Sequence, residues 1–170
     1  MGFRIGIAVC VTVLAALAGR ALGRGRIQRA DALRALADDL NLLKEWTVFR
    51  LMPMADALDK LRLPAMRMTA EAMRSHGSVS AAVAWMGVSA RERGSGGSLE
   101  WMSAEENGEI SGLFEALSTL GRKEHESRYE QTVTRIFQKE AEERKAGKEK
   151  MKLYTSLGAL AGLAAGVLLI

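Results

Sequence analysis

Residues 5–22 read IGIAVCVTVLAALAGRAL, apolar throughout except for Thr12 and Arg20. These eighteen residues, wound as a helix, rise about 27 Å, close to the thickness of a hydrocarbon core. Arg20 falls in the last turn, where a long cationic side chain reaches back to the interface. The small-residue run Ala16-Leu17-Ala18 also fits a signal-peptide cleavage site. Against that stand Arg20, Arg24, Arg26 and Arg29, because positive charge just after an apolar run resists translocation. The stretch therefore reads as a retained membrane span, residues 1–23 forming the N-terminal transmembrane helix.

The other end answers it. Residues 153–170 carry no charge. Gly158, Ala161, Gly162, Ala165 and Gly166 recur there at spacings of three and four. Small residues at that spacing let two membrane helices approach closely, so Gly158 and Gly162 are expected to pack helix against helix. Basic residues set the orientation. Arg20, Arg24, Arg26 and Arg29 follow or close the first span, against Arg4 before it, and Lys145, Lys148, Lys150 and Lys152 precede the last. Both biases place residues 24–152 in the cytosol and both termini outside. The expectation is a two-pass cell-membrane protein, its spans an antiparallel hairpin in the lipid bilayer.

Composition makes the part between all-α. Hydrophobic residues make up 48% of the chain but aromatics only 5%, so Ala, Leu and Met supply the apolar content, and these favour helix over strand. All 20 acidic residues lie between Asp31 and Glu149. Of the 24 basic residues only Arg4 and Arg20 sit in the ends, so 22 oppose 20 in the middle. That is a mixed solvated surface, which argues against nucleic-acid binding.

Leu33, Leu36, Leu40, Leu43 and Trp46 mark one helical face, with Arg34, Asp38, Asp39, Lys44 and Glu45 mainly elsewhere. That helix is expected to run to about Met52. Pro53 and Pro64 each suit the first position of a following helix. A break at His76-Gly77-Ser78 precedes a helix capped by Ser78 or Ser80 that buries Ala81, Val83, Ala84, Trp85 and Val88. Gly94-Ser95-Gly96-Gly97-Ser98 reads as a flexible loop. It is not a phosphate-binding loop, since no Gly-Lys-Ser/Thr follows. Ser103 and Glu106 form a capping box for a helix carrying Ile110, Leu113, Phe114, Leu117 and Leu120, which Gly121 ends. From about Lys123 to Lys152 one long charged helix bears a thin stripe of Tyr129, Val133, Ile136, Phe137 and Ala141. So narrow a stripe suits a coiled-coil-like contact with one partner, the first cytosolic helix.

Chemistry is sparse. Cys10 is the single cysteine and sits in the first apolar run. His76 lies beside a turn glycine and His125 on a charged helix, read as a solvated histidine. No Ser/His/Asp or Cys/His set can be assembled around them. The expectation is a chain that is not an enzyme, with no cofactor and no metal. Met52, Met54, Met66, Met68, Met73, Met86 and Met102 crowd the middle. They read as core filling in preference to an adaptable partner groove.

The run Lys150-Met151-Lys152-Leu153-Tyr154-Thr155-Ser156-Leu157-Gly158-Ala159-Leu160-Ala161-Gly162 resembles the closing signature of the stage III sporulation protein AB family. Phe49-Arg50-Leu51-Met52-Pro53-Met54-Ala55-Asp56-Ala57-Leu58 resembles that family's Pro-rich segment, and Leu117-Ser118-Thr119-Leu120-Gly121 its Leu-Gly element. Thr155 stands where the family often has Arg, and Lys123, Glu124 and Arg128 replace its Ser-Asp and Gln. The resemblance covers nearly the whole chain in the same order of span, helices, span. It implies a non-catalytic platform, similar to the F-type proteins of type II secretion, within the apparatus linking mother cell and forespore. Its implied partners are a cytosolic secretion-type ATPase, other membrane subunits of the channel and further copies of the chain. The rival is a small assembly or regulatory factor with no ATPase partner.

Overall fold

The computed structural model describes residues 2–75, 79–94, 96–119 and 122–168, without the side chains of 2–12, 15–16, 18–23, 122–123, 159, 161–163 and 165–168. Among the described residues the fold is all-helical: α1 (Gly2–Lys44), α2 (Met54–Asp59), α3 (Pro64–Ser75), α4 (Ala81–Glu92), α5 (Ala104–Thr119) and α6 (Arg122–Leu168). Among them, no helix is long and apolar enough to cross a membrane. The apolar stretches 5–22 and 153–170 lie in large part outside the described side chains, as do those of Cys10 and Arg20. The break at 76–78, the stop at Gly121 and the packing of Gly162 lie outside the description too.

The chain divides into two compact units. One comprises Met1–Asp31 with Glu140–Ile170, the other Ala32–Lys139. In the second unit Leu33, Leu36, Leu40 and Leu43 are fully buried, as their 3.6-residue period requires. Tyr129, Val133 and Ile136 of α6 join the same core, and Phe137 packs at its margin. Ala141, by contrast, is exposed, and Glu140 is the buried residue of that turn. Arg34 lies over the Phe137 ring at 5.4 Å, and Lys44 reaches Glu126 at 3.4 Å and Glu130 at 2.8 Å. As numbers rise along α1 they fall along α6, so within this unit the two helices run antiparallel. The hydrogen bond to Glu130 holds the Lys44 ammonium above its usual range.

The first helix stops earlier than its pattern predicts. After Lys44 the backbone widens into one π-turn, Glu45–Phe49. Arg50 N donates to Glu45 O at 3.1 Å, and Thr47 Oγ1 donates to Leu43 O at 2.7 Å. A hydroxyl bonding back in this way loosens the ladder. Leu51 then takes the left-handed conformation, φ 54°, and reverses the chain. Pro53 sits one residue outside α2 as its N-cap, whereas Pro64 does open α3.

Asp39 is a second correction. It is fully buried, not on the solvated face, and its Oδ2 accepts from Leu63 N at 2.9 Å. One carboxylate so ties α1 to the turn that starts α3. The caps foreseen from sequence do form. Ser80 Oγ accepts from Val83 N, Ser103 Oγ accepts from Glu106 N at 3.2 Å, and Glu106 Oε2 accepts from Ser103 N at 2.7 Å. Between α4 and α5 the glycine loop is knit closely, not slack. Leu99 N donates to Glu92 O at 3.0 Å, and Ser98 N to Glu92 Oε2 at 3.1 Å. The Ser98 amide holds the Glu92 carboxyl below its usual range. Gly97 is obligatory there, because a Cβ would stand 1.9 Å from Glu92 O. Trp85 anchors this end of the core, edge-on to Phe114 at 5.8 Å with its Nε1 donating to Asn107 Oδ1 at 3.0 Å.

Candidate interaction surfaces

In the unit Met1–Asp31 with Glu140–Ile170, the orienting cations fall into two kinds. Arg26 and Arg29 both reach Glu143, at 3.2 and 3.0 Å. Arg144 bonds Asp31 at 2.8 Å and also Glu140. These pairs fasten α1 to α6 with partly exposed charges, each contributing at most about 1 kcal/mol. Arg24, Lys145, Lys148, Lys150 and Lys152 are exposed, and no carboxylate pairs with them among the described residues.

Apolar side chains also point outward here. Val13, Leu14 and Leu17 of α1 and Leu153, Leu157 and Leu160 of α6 are each at least half exposed. Gly158 is buried among exposed neighbours, so the small residue faces inward and the leucines outward. In water such exposed apolar side chains are unfavourable, and together they call for a covering phase or partner.

The unit Ala32–Lys139 presents a different surface. An apolar groove of about 370 Å³ runs between α3 and α4, lined by Ala72, Val79, Val83, Ala84, Gly87, Val88 and Arg91. Val83 was expected in the core, yet it is 54% exposed. Ala81, Ala84, Trp85 and Val88 follow the i, i+3, i+4, i+7 spacing and are buried. Val83 lies about 100° round the helix from Ala84 and so misses that face. Met86 beside it is 51% exposed, unlike Met66 and Met102, which are buried, and Met52, Met54, Met68 and Met73, which pack on the core. A second, polar groove of about 390 Å³ separates α5 from α6, with Glu105, Glu109, Arg128 and Arg135 on its walls. Lys139 bridges Glu105 at 3.1 Å and Glu109 at 3.7 Å beside it.

Sequence reasoning missed the α3–α4 groove. Its signal was there in Val79 and Val83, four residues apart but off the phase of the buried set. His125 is half-buried, not fully solvated. Among the described residues, no three His, Cys, Asp or Glu side chains are grouped to hold a metal ion.

No curated protein and no solved structure matches the chain. The family model described as stage III sporulation protein AB matches residues 4–170. With that match running from the first apolar stretch through the last, the chain belongs to the stage III sporulation protein AB family and has a role in sporulation.

Proposed function

We propose that the chain is a non-catalytic membrane platform in the mother cell–forespore transport apparatus of endospore formation. Residues 5–22 and 153–170 are its two spans, residues 24–152 lie in the cytosol, and both termini lie outside. The cytosolic part docks a secretion-type ATPase, and the spans meet other membrane subunits. One observation carries this reading, the sorting of exposed apolar side chains. Val13, Leu14, Leu17, Leu153, Leu157 and Leu160 lie at the chain ends, where lipid would cover them. Val83 lines the α3–α4 groove and Met86 is exposed on the same helix, where a partner protein would cover them. Family membership adds the cellular setting.

Two measurements test it. Tags at both termini, probed with an impermeant reagent on intact cells, should be labelled; protection of both would overturn the topology. A pull-down of the full chain from detergent extract of sporulating cells should retain a cytosolic ATPase. A chain that stays in the bilayer yet retains no ATPase is the small assembly factor instead.

A further inference from the structure

We propose, building on the membrane placement above, that Arg24, Lys145, Lys148, Lys150 and Lys152 form a collar that binds the phosphate headgroups of anionic phospholipids. Charge in this unit is sorted along the helices. Arg26, Arg29 and Arg144 are committed to Glu143, Asp31 and Glu140. The five collar cations are exposed and without a carboxylate among the described residues. Sequence enforces the sorting, because no acidic residue precedes Asp31 and Glu149 is the only one after Arg144.

Position gives the unpaired charge its use. On α6 the lysines end at Lys152, and the exposed apolar face begins at the next residue, Leu153, continuing through Leu157 and Leu160. At about 1.5 Å per residue, Lys145 to Lys152 covers about 10 Å, the scale of a headgroup layer. Arg24 follows the exposed Leu17 on α1 by about the same distance. Such side chains lay their methylene stems on apolar surface and present the charge to the headgroup phosphates. A planar array of anions fits this surface better than one free phosphate would. The collar cations are all exposed and, on α6, spread over about 10 Å of helix instead of converging on one point. Fields near an anionic leaflet act on each such cation separately and fade within a Debye length.

The test uses the full-length chain in neutral detergent, offered equal amounts of phosphatidylglycerol and phosphatidylcholine, with bound lipid counted by native mass spectrometry. The wild type should retain phosphatidylglycerol preferentially. Removing one collar charge should cut that preference about fivefold, and Lys148→Gln/Lys150→Gln/Lys152→Gln should abolish it with helical content unchanged. Arg62→Gln/Arg67→Gln, exposed changes in the other unit, should leave it intact. Equal retention of the two lipids by the wild type, or an unaltered preference in the triple variant, overturns the collar. So does full displacement of phosphatidylglycerol by millimolar inorganic phosphate, which would mark a free-anion site. Extraction of the chain from membranes by alkali would refute the membrane placement itself. A chain that resists alkali but lacks lipid preference loses only the collar.

Discussion

Tyr129 shows how much one buried polar atom contributes. Its ring is fully buried in the core of the Ala32–Lys139 unit, and its hydroxyl meets Thr47 Oγ1 at 3.1 Å. Burial pushes the phenol well above its usual range, only partly offset by the Thr47 hydrogen bond. The native state therefore keeps this proton at a pH where the unfolded chain releases it. Stability from this group is complete below an unfolded value of about 10 and falls as pH rises above it, by about 1.4 kcal/mol per pH unit. Tyr129→Phe should cost about 1 kcal/mol at neutral pH through the lost hydrogen bond. It should also flatten the alkaline decline, which denaturant melts at pH 8 and pH 11 would read. An equally steep decline in the variant would place the alkaline sensitivity elsewhere. Gly97 makes the opposite case, where an added atom does the damage. Gly97→Ala drives a Cβ into the Glu92 backbone and should destabilise the fold by about 2 kcal/mol or more. A thermal melt within a degree of wild type would show that the loop yields.

At the scale of elements, the joints matter more than the helices. Asp39 accepts the Leu63 amide from inside the core, fixing where α3 starts against α1. Asp39→Ala strands that amide and should cost about 1–3 kcal/mol, while Asp39→Asn, which keeps an acceptor oxygen, should cost less. Equal losses in the two variants would mean that volume, not the hydrogen bond, sets the effect. This joint also shows what sequence could and could not disclose. The leucine faces of α1 and α5 follow from period alone, and the Ser103–Glu106 box from residue chemistry at fixed spacing. Both are local signals. Asp39 looks like any polar residue between apolar ones, because its partner lies 24 positions away. Leu51 gives no warning of a left-handed turn, which glycine or asparagine would have announced. The π-turn is equally silent, since a widened helix carries no distinct pattern of residue types. The α3–α4 groove depends on which face each helix turns outward once both are packed, and that is a tertiary outcome.

For the molecule in full, the terminal helices are expected to meet at Gly158. It is buried while Ser156, Leu157 and Leu160 around it are exposed. A residue without a Cβ lets a neighbouring backbone come close, and where lipid removes the hydrophobic drive that closeness supplies van der Waals contact instead. Gly162 lies four residues on and so shares its face. The expected counterface is the small set Gly6, Ala15, Ala18 and Gly19 on α1. Isoleucine at both positions puts branched bulk in place of a hydrogen atom and should hold the helices apart. The Ala32–Lys139 unit builds its core from its own residues, Leu33 through Ile136, so its cooperative melt should persist. Cysteines introduced on the two terminal helices should cross-link in the wild-type background. They should fail to do so in Gly158→Ile/Gly162→Ile, with assembly into the proposed apparatus weakened in parallel. Leu160→Ile, which places the same side chain at an exposed position with no added volume, serves as the control and should cross-link normally. Cross-linking and assembly that both survive in the double variant would mean that the glycines face lipid and that another surface holds the helices together. Lost assembly with intact cross-linking would move the contact from within one chain to the boundary between neighbouring copies.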